Sequence, residues 1–528
     1  MKRNLFAPAA ALLLVLFALP LAADEPKKDA KDAKPAAASA EKPPEPAKFV
    51  KQHKMKLGGA DFAYTTTAEE IFLKDGDGKN TASFFTIAYT KDGVAHPEDR
   101  PIAFVYNGGP GSASVWLHFG LVGPRVVDIP SDATDPGGPP YKLRDNTASI
   151  LRATDLVFVD PVGTGYSHAM GDKKNEDFWG YDEDADSVAE FIRTFITQHD
   201  RWNSPKYILG ESYGGIRSAL LVPRLQSNLN VGLNGVILIS PALNMGTLPF
   251  VVQGNDLTYA THLPALAASA YYHHKLPNQE KWKDRQTLLR EVEKFASTDY
   301  LVALFQGDKL PKADKERIAE QMHQYIGLPK DYIMRSNLRV YALRFINELM
   351  RDEGKSIGLL DGRYAQAELD NVAEQPDGDP FGAKTGPIYI STFQGYLHND
   401  LGVDWTKPYH PQNGEANQKW KRPARGRGAF AGYVDTTTAL AQGTKDNEAL
   451  RVFAAAGYDD LTTSYFATRY MLEHSGIDTA RLTMKTYDGG HMMYLYRPSL
   501  EALSNDIVAF IEGGSAPRPS PSASPASH

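Results

Sequence analysis

The run Lys206-Tyr-Ile-Leu-Gly-Glu-Ser-Tyr-Gly-Gly215 constrains this chain more than any other stretch. Its apolar start, residues 207–209, reads as a buried strand, and residues 216–222 read as the opening of a helix. Between them, Gly210-Glu-Ser-Tyr-Gly214 has the G-x-S-x-G form of an elbow that leaves a serine hydroxyl exposed at the tip of a sharp turn. A Cβ at either glycine is expected to clash across so tight a turn. The following helix directs backbone N–H groups at negative charge developing beside Ser212. Ser212 is the candidate nucleophile.

The pattern alone carries little weight, since a chain of 528 residues meets it by accident about once in four or five cases. Gly354-Lys-Ser-Ile-Gly358 is such a second match. It follows a helical stretch, residues 344–353, so Gly354 reads as a helix C-cap and no strand leads into Ser356. Context selects Ser212.

Further apolar strand candidates lie at 102–106, 155–159, 236–239, 452–456 and 482–486, with helical patterns between several of them, notably 184–196. That alternation predicts an α/β fold with a mostly parallel sheet. From about 245 to 445 the pattern turns helical and loop-rich. Leu288, Val292 and Phe295 share one helical face, and Ile318, Met322 and Tyr325 another. This stretch is expected to be a cap inserted over the carboxyl edge of the sheet, with a separate domain as the competing account. Leu500, Leu503, Ile507 and Phe510 mark a closing amphipathic helix.

Lys2 and Arg3 precede an apolar run from Leu5 to Leu21 and then Ala22-Ala23, the pattern of a secretory signal peptide over 1–23. Residues 24–50 are Lys-, Ala- and Pro-rich and read as a disordered linker. Residues 51–514 form the folded domain, and 515–528 a Ser/Pro/Ala-rich tail. No later stretch is apolar enough to span a membrane once the signal is cleaved. The chain has no cysteine, which excludes disulfides, thiolate metal sites and a cysteine nucleophile. An exported protein of this kind fits a bacterial periplasm or the cell exterior. A net charge of −7 without a basic stripe gives no reason to expect nucleic acid.

No cofactor or metal is expected. Gly163-Thr-Gly165 lacks the third glycine of a dinucleotide fingerprint, Gly382-Ala-Lys384-Thr385 is not a phosphate loop, and His273 and His274 are adjacent rather than one helical turn apart. Nothing in the sequence sets the oligomeric state.

A serine hydroxyl needs a base, and the base needs an orienting acid. The loop after the 482–486 strand, Tyr487-Asp-Gly-Gly-His491, offers His491 with glycines that let the backbone bend. The loop after 452–456 offers Asp459 and Asp460, and Asp488 lies nearer the histidine in sequence. Side chains of adjacent residues diverge, so only one of the pair can orient the imidazole, and the other is solvated or holds the loop. An oxyanion needs two N–H donors. Tyr213 supplies one, and the turn Asn107-Gly-Gly-Pro-Gly111 the other, with Gly109 favoured.

Together, Asn107-Gly-Gly-Pro-Gly111, Asp160-Pro-Val-Gly-Thr-Gly-Tyr-Ser167, Gly210-Glu-Ser-Tyr-Gly-Gly215, Gly457 with Asp460, and Gly490-His-Met492 resemble the serine carboxypeptidases of the α/β-hydrolase superfamily, in family order. Residues 351–364, ending in Leu360-Asp-Gly-Arg-Tyr364, resemble the bacterial branch. The resemblance implies an α/β-hydrolase fold, Asp460 as the triad acid, and oxyanion donors at Gly109 and Tyr213. It further implies that Asn107, Gly108 and a protonated Glu211 grip the C-terminal carboxylate of a peptide, with activity favoured at acidic pH and lost as Glu211 ionises. Departures from the family are Val105 for a tryptophan, Ser112 for a cysteine, and Leu121 for the acid that would pair with Glu211.

The leading expectation is an exported serine carboxypeptidase acting on peptides with a free C-terminus. An esterase or acyltransferase on the same triad, and a noncatalytic exported binding protein, are the alternatives.

Overall fold

Alternating side chains along six apolar runs build the centre of the protein. The computed structural model describes residues 44–250, 254–421 and 434–515. Its main sheet contains β1 (Lys48–Leu57), β2 (Ala60–Lys74), β3 (Asn80–Lys91), β4 (Ile102–Tyr106), β5 (Asp155–Val159), β6 (Lys206–Glu211), β7 (Gly235–Ile239), β8 (Arg451–Gly457) and β9 (Leu482–Tyr487). They lie in the order β1-β2-β3-β5-β4-β6-β7-β8-β9, and the short strand His168–Ala169 pairs beside β3. From β5 to β9 every pairing is parallel, while β1, β2 and β3 join antiparallel.

The chain places β5 on one side of β4 and β6 on the other, so a crevice opens at the carboxyl ends of β4 and β6. The 107–111 turn and the Ser212 elbow leave those two ends. Along the strands, Phe104, Ile208, Leu238 and Val452 face α1 (Tyr181–Gln198) and α2 (Gly214–Pro223). Their neighbours Val105, Leu209, Ile237 and Phe453 share a cluster with Leu503, Ile507 and Phe510 of the C-terminal helix Arg497–Ser515. A period of two therefore buries both faces of the sheet.

β1 starts at Lys48, inside the stretch 24–50 expected to be a linker. It is an edge strand rich in exposed lysine, held by backbone pairing with β2 and by Phe49, Met55 and Leu57 packed on the main core. Residues 1–43 and 516–528, and with them the signal-peptide segment and nearly all of the tail, lie outside the described residues. No helix of the described residues is long and apolar enough to cross a membrane.

The chain between β7 and β8 divides by where its apolar side chains go. α3 (Asp256–Tyr272), α4 (Arg285–Phe295) and α5 (Lys312–Ile326) build a second core, which Ala456 and Leu461 join from the carboxyl end of β8. The next long helix, α6 (Pro380–Gly395), instead sends Tyr389 and Phe393 into the main core. Between these parts lies a hairpin of Lys355–Ile357 and Ala365–Ala367. Gly354 closes the preceding helical turn at φ 66°, and Ser356 is buried in the hairpin with its hydroxyl on Glu368. The second G-x-S-x-G match therefore forms no elbow.

Candidate active site

β6 ends at Glu211 and α2 begins at Gly214, which leaves Ser212 at φ 60°, in the left-handed region that residues with a Cβ rarely occupy. Three backbone bonds hold it there. Ser212 N–H donates to Ile239 O at 3.0 Å, while Ser212 O accepts from Gly215 N–H at 2.8 Å and Ala242 N–H at 3.0 Å. A Cβ on Gly210 would stand 2.3 Å from Gly214 O, and one on Gly215 2.8 Å from Ala242 O. At Gly214 the nearest atom would be 3.3 Å away, so that position is tight but not blocked as the sequence pattern suggests. The second forbidding position is Gly215.

The loops after β8 and β9 bring Asp460 and His491 together. Asp460 Oδ2 lies 2.8 Å from His491 Nδ1, and both residues are buried. Asp460 also accepts from Thr462 N–H at 2.8 Å, from Thr463 N–H at 2.9 Å and from the Thr463 hydroxyl at 2.6 Å. Burial alone would push the Asp460 carboxyl up, but the charge and hydrogen bond of His491 and the Thr463 donors hold it below its ordinary value. Burial likewise works against the His491 imidazolium, and Asp460, helped by Glu211, outweighs it and raises that pKa.

Asp459, the neighbour, is also fully buried, so it is not the solvated member of the pair. It holds the loop: its N–H donates to Gly489 O at 2.9 Å, and its Oδ2 lies 3.2 Å from Arg285. Burial pushes its carboxyl up to about 6 against the pull of Arg285 and Arg363. Asp488 is half exposed and pairs with Arg285 from the other side. Of the three carboxylates, Asp460 is the one that meets the imidazole.

The carboxyl end of β7 ties the elbow to the histidine loop, because Ile239 O receives Ser212 N–H and the next residue, Ser240, donates its hydroxyl to His491 O at 2.8 Å. His491 Nε2 is the ring nitrogen that Asp460 leaves for the candidate nucleophile, Ser212. Neither it nor Ser212 Oγ has a hydrogen-bond partner among the described residues. Loose nucleophile–base spacing is common before substrate arrives.

The 107–111 turn lies on the elbow. A Cβ on Gly108 would stand 2.4 Å from Tyr213 N, and Gly109 sits at φ +103°. The N–H groups of Gly109 and Tyr213 donate to no other group among the described residues. Arg217 of α2 pins the turn by donating to Asn107 O at 2.6 Å, and is itself paired with Asp184 at 2.7 Å in a fully buried ion pair. From the far side, Asp160 accepts from Ser114 N–H at 2.8 Å and from its hydroxyl at 2.7 Å. Asn107 Nδ2 donates to Glu211 Oε1 at 2.9 Å and Tyr494 hydroxyl to Glu211 Oε2 at 2.6 Å. Burial lifts the Glu211 carboxyl to about 7, against the lowering effect of His491, Tyr494 and Asn107.

The family model for serine carboxypeptidases matches residues 64–341, more than half of the chain. The chain belongs to the serine carboxypeptidase family. "Serine carboxypeptidase-like 5" of Arabidopsis thaliana is 27% identical over 165 residues, covering 31% of this chain and 34% of that protein. "Probable serine carboxypeptidase CPVL" of Dictyostelium discoideum is 25% identical over 243 residues, covering 42% of this chain and 44% of that protein. The chain thus spans less than half the length of these relatives. Kex1(delta)p, a prohormone-processing carboxypeptidase from Saccharomyces cerevisiae, superposes with a TM-score of 0.54 at 14% identity, over 85% of this chain and 91% of its own. That likeness is one of fold, the α/β-hydrolase fold. The family match includes Asn107, Glu211 and Ser212 and stops before Asp460 and His491, whose pairing stands on the geometry above.

Within the serine carboxypeptidase family this chain differs at points the structure explains. Leu121 is buried in the main core and offers Glu211 nothing, and Tyr494 takes up the free carboxyl oxygen instead. Ser112 Oγ accepts from Trp116 Nε1 at 3.0 Å and from Gln412 Nε2 at 3.2 Å, which ties the turn to the inserted segment. Tyr494 and Thr463 escaped the sequence reading. The missing acid at 121 was the signal that another group must hold Glu211, but the partner is 283 residues away in the chain.

Proposed function

We propose that this chain is a serine carboxypeptidase that removes C-terminal residues from peptides. Ser212 Oγ attacks the scissile carbonyl while His491 Nε2 takes its proton. The imidazolium then protonates the leaving amine, and water, activated by the same imidazole, releases the acyl group from Ser212. Asp460 orients the ring and supports its charge. Gly109 and Tyr213 N–H groups receive the oxyanion. Asn107, Gly108 and protonated Glu211 receive the substrate's terminal carboxylate.

The observation that carries the exopeptidase reading is Glu211, a buried carboxyl one residue from the nucleophile whose pKa is lifted to about 7. Below that pH it is neutral and donates a hydrogen bond to a carboxylate. Above it, two facing negative charges repel. The alkaline limb of kcat/KM therefore follows Glu211, and the acid limb follows protonation of His491. Charge on either group stabilises opposite charge on the other, so the limbs report the pair.

The test is hydrolysis of an acylated dipeptide beside its C-terminal amide at the pH of highest activity between the two limbs. Wild type should strongly prefer the free acid, and Ser212→Ala should abolish cleavage of both. Equal cleavage of acid and amide would favour an esterase-type enzyme. Failure of a fluorophosphonate to label Ser212 would leave only the binding-protein reading.

We place the enzyme outside the cytoplasm on the strength of the 1–23 segment. N-terminal sequencing of the mature protein, expected to begin at Asp24, tests this.

A further inference from the structure

The turn at residues 359–363 lies within the inserted segment, yet it touches both loops that carry the acid and the base. On the histidine side, His491 N–H donates to Leu360 O at 2.6 Å, and Gly490 N–H donates to Asp361 Oδ2 at 3.1 Å. On the acid side, Gly362 N–H donates to Asp459 O at 2.9 Å, and Leu461 N–H donates to Leu359 O at 3.2 Å. Asp460 is thus flanked by two residues tied to one turn, and His491 is tied to it directly.

The histidine loop needs such a clamp. Gly489 and Gly490 let the backbone bend, but they have no side chains with which to lock it. A Cβ on Gly490 would stand 2.4 Å from Asp361, so the two backbones meet with no slack. Asp361 is completely buried, and both its oxygens are engaged by Arg363, at 2.9 Å to Nε and 2.6 Å to Nη2.

We propose that Asp361 is a positioning residue for the triad: by holding Gly490 N–H and Arg363 together, it fixes the His491 ring against Asp460. The inference rests on the serine-hydrolase reading above. The charges facing His491 are Asp460 and Glu211, and the titratable groups around the clamp are Asp361, Arg363, Asp459, Arg285 and Asp488, with Asp379 on the Leu359 and Leu360 backbone and His273 on Gly362 O.

The test compares Asp361→Ala and Asp361→Asn with wild type in kcat, KM, pH profile and fluorophosphonate-titrated sites. Asp361→Ala should lower kcat per titrated site by about 10–100-fold with KM nearly unchanged. Asp361→Asn, which keeps an oxygen for Gly490 N–H, should retain more. In both, the acid limb should move to lower pH, because a misaligned His491 loses part of the support from Asp460 that raises its pKa. The acid-over-amide preference should persist. If Asp361→Ala does not unfold cooperatively, Asp361→Ala/Arg363→Met, which removes both charges of the pair, carries the test. An unchanged kcat per titrated site with an unmoved acid limb overturns the inference, whatever happens to the folded fraction. Failure of every variant to fold also overturns it, since Asp361 would then serve stability alone. Absence of Ser212-dependent hydrolysis in wild type would instead refute the underlying reading.

Discussion

Ser212, Asp460 and His491 leave the sheet at or just beyond the carboxyl ends of β6, β8 and β9, whereas the 359–363 turn arrives from a segment that has left the sheet altogether. The first region is placed by strand pairing: β6, β7, β8 and β9 lie side by side, so residues on their ends converge without further help. The second has no strand in that sheet and is placed by hydrogen bonds that its backbone and the Asp361 carboxylate exchange with the loops it meets. On the proposed reading, the sheet brings the reacting groups into one neighbourhood, and the insertion limits how those groups can turn within it. On that reading, chemistry and orientation are carried by different parts of the chain.

That division is open to attack at four points. Ser212→Ala, at the heart of the sheet-carried region, should lower kcat by about 10⁶-fold and abolish fluorophosphonate labelling. The neighbours Asp460 and Asp459 should then separate sharply. Asp460→Asn should cost about 10⁴-fold in kcat, whereas Asp459→Asn, which touches loop and Arg285 rather than imidazole, should cost less than about 10-fold. Comparable losses at the two would mean that the loop, not the pairing with His491, governs the rate.

Glu211→Gln tests the carboxylate grip. Glutamine is neutral at every pH, so the alkaline limb for free-acid substrates, set in wild type near pH 7, should flatten. A limb that stays in place would belong to some other group. The smallest effect is expected at Tyr494→Phe. The Tyr494 hydrogen bond lowers the Glu211 pKa, so its loss should raise that pKa and move the alkaline limb upward by about one unit or less. Movement in the opposite direction would show that Tyr494 supports the neutral carboxyl instead.

Much of the sheet-carried region was legible in the sequence, because buried parallel strands are written as short apolar runs, and the half-exposed edge strand β9 as an alternation. The stretches 102–106, 155–159, 207–209, 236–239, 452–456 and 482–486 all fall within strands. The elbow and the glycine turn at 107–111 announce themselves because only glycine tolerates such approaches. The start of β1 was not legible, since lysines and a histidine interrupt the alternation that brings Phe49, Met55 and Leu57 onto the core. Nor was the division of the insertion, where α4 and α5 show the same amphipathic spacing whichever core they face. The Tyr494–Glu211 bond and the 359–363 clamp depend on contacts between residues far apart in the chain, and local pattern cannot register them. The choice between Asp459 and Asp460 turns on backbone N–H groups at 462 and 463, which fix one carboxylate toward His491.

The most direct measurement is the ratio of kcat/KM for an acylated dipeptide to that for its C-terminal amide, followed in wild type from about pH 5 to about pH 9. Ionisation of His491 enters both rates and cancels, so the ratio isolates Glu211. The account predicts a strong preference for the free acid that declines as pH rises through about 7. A ratio near one, or one that stays constant across that range, would contradict it.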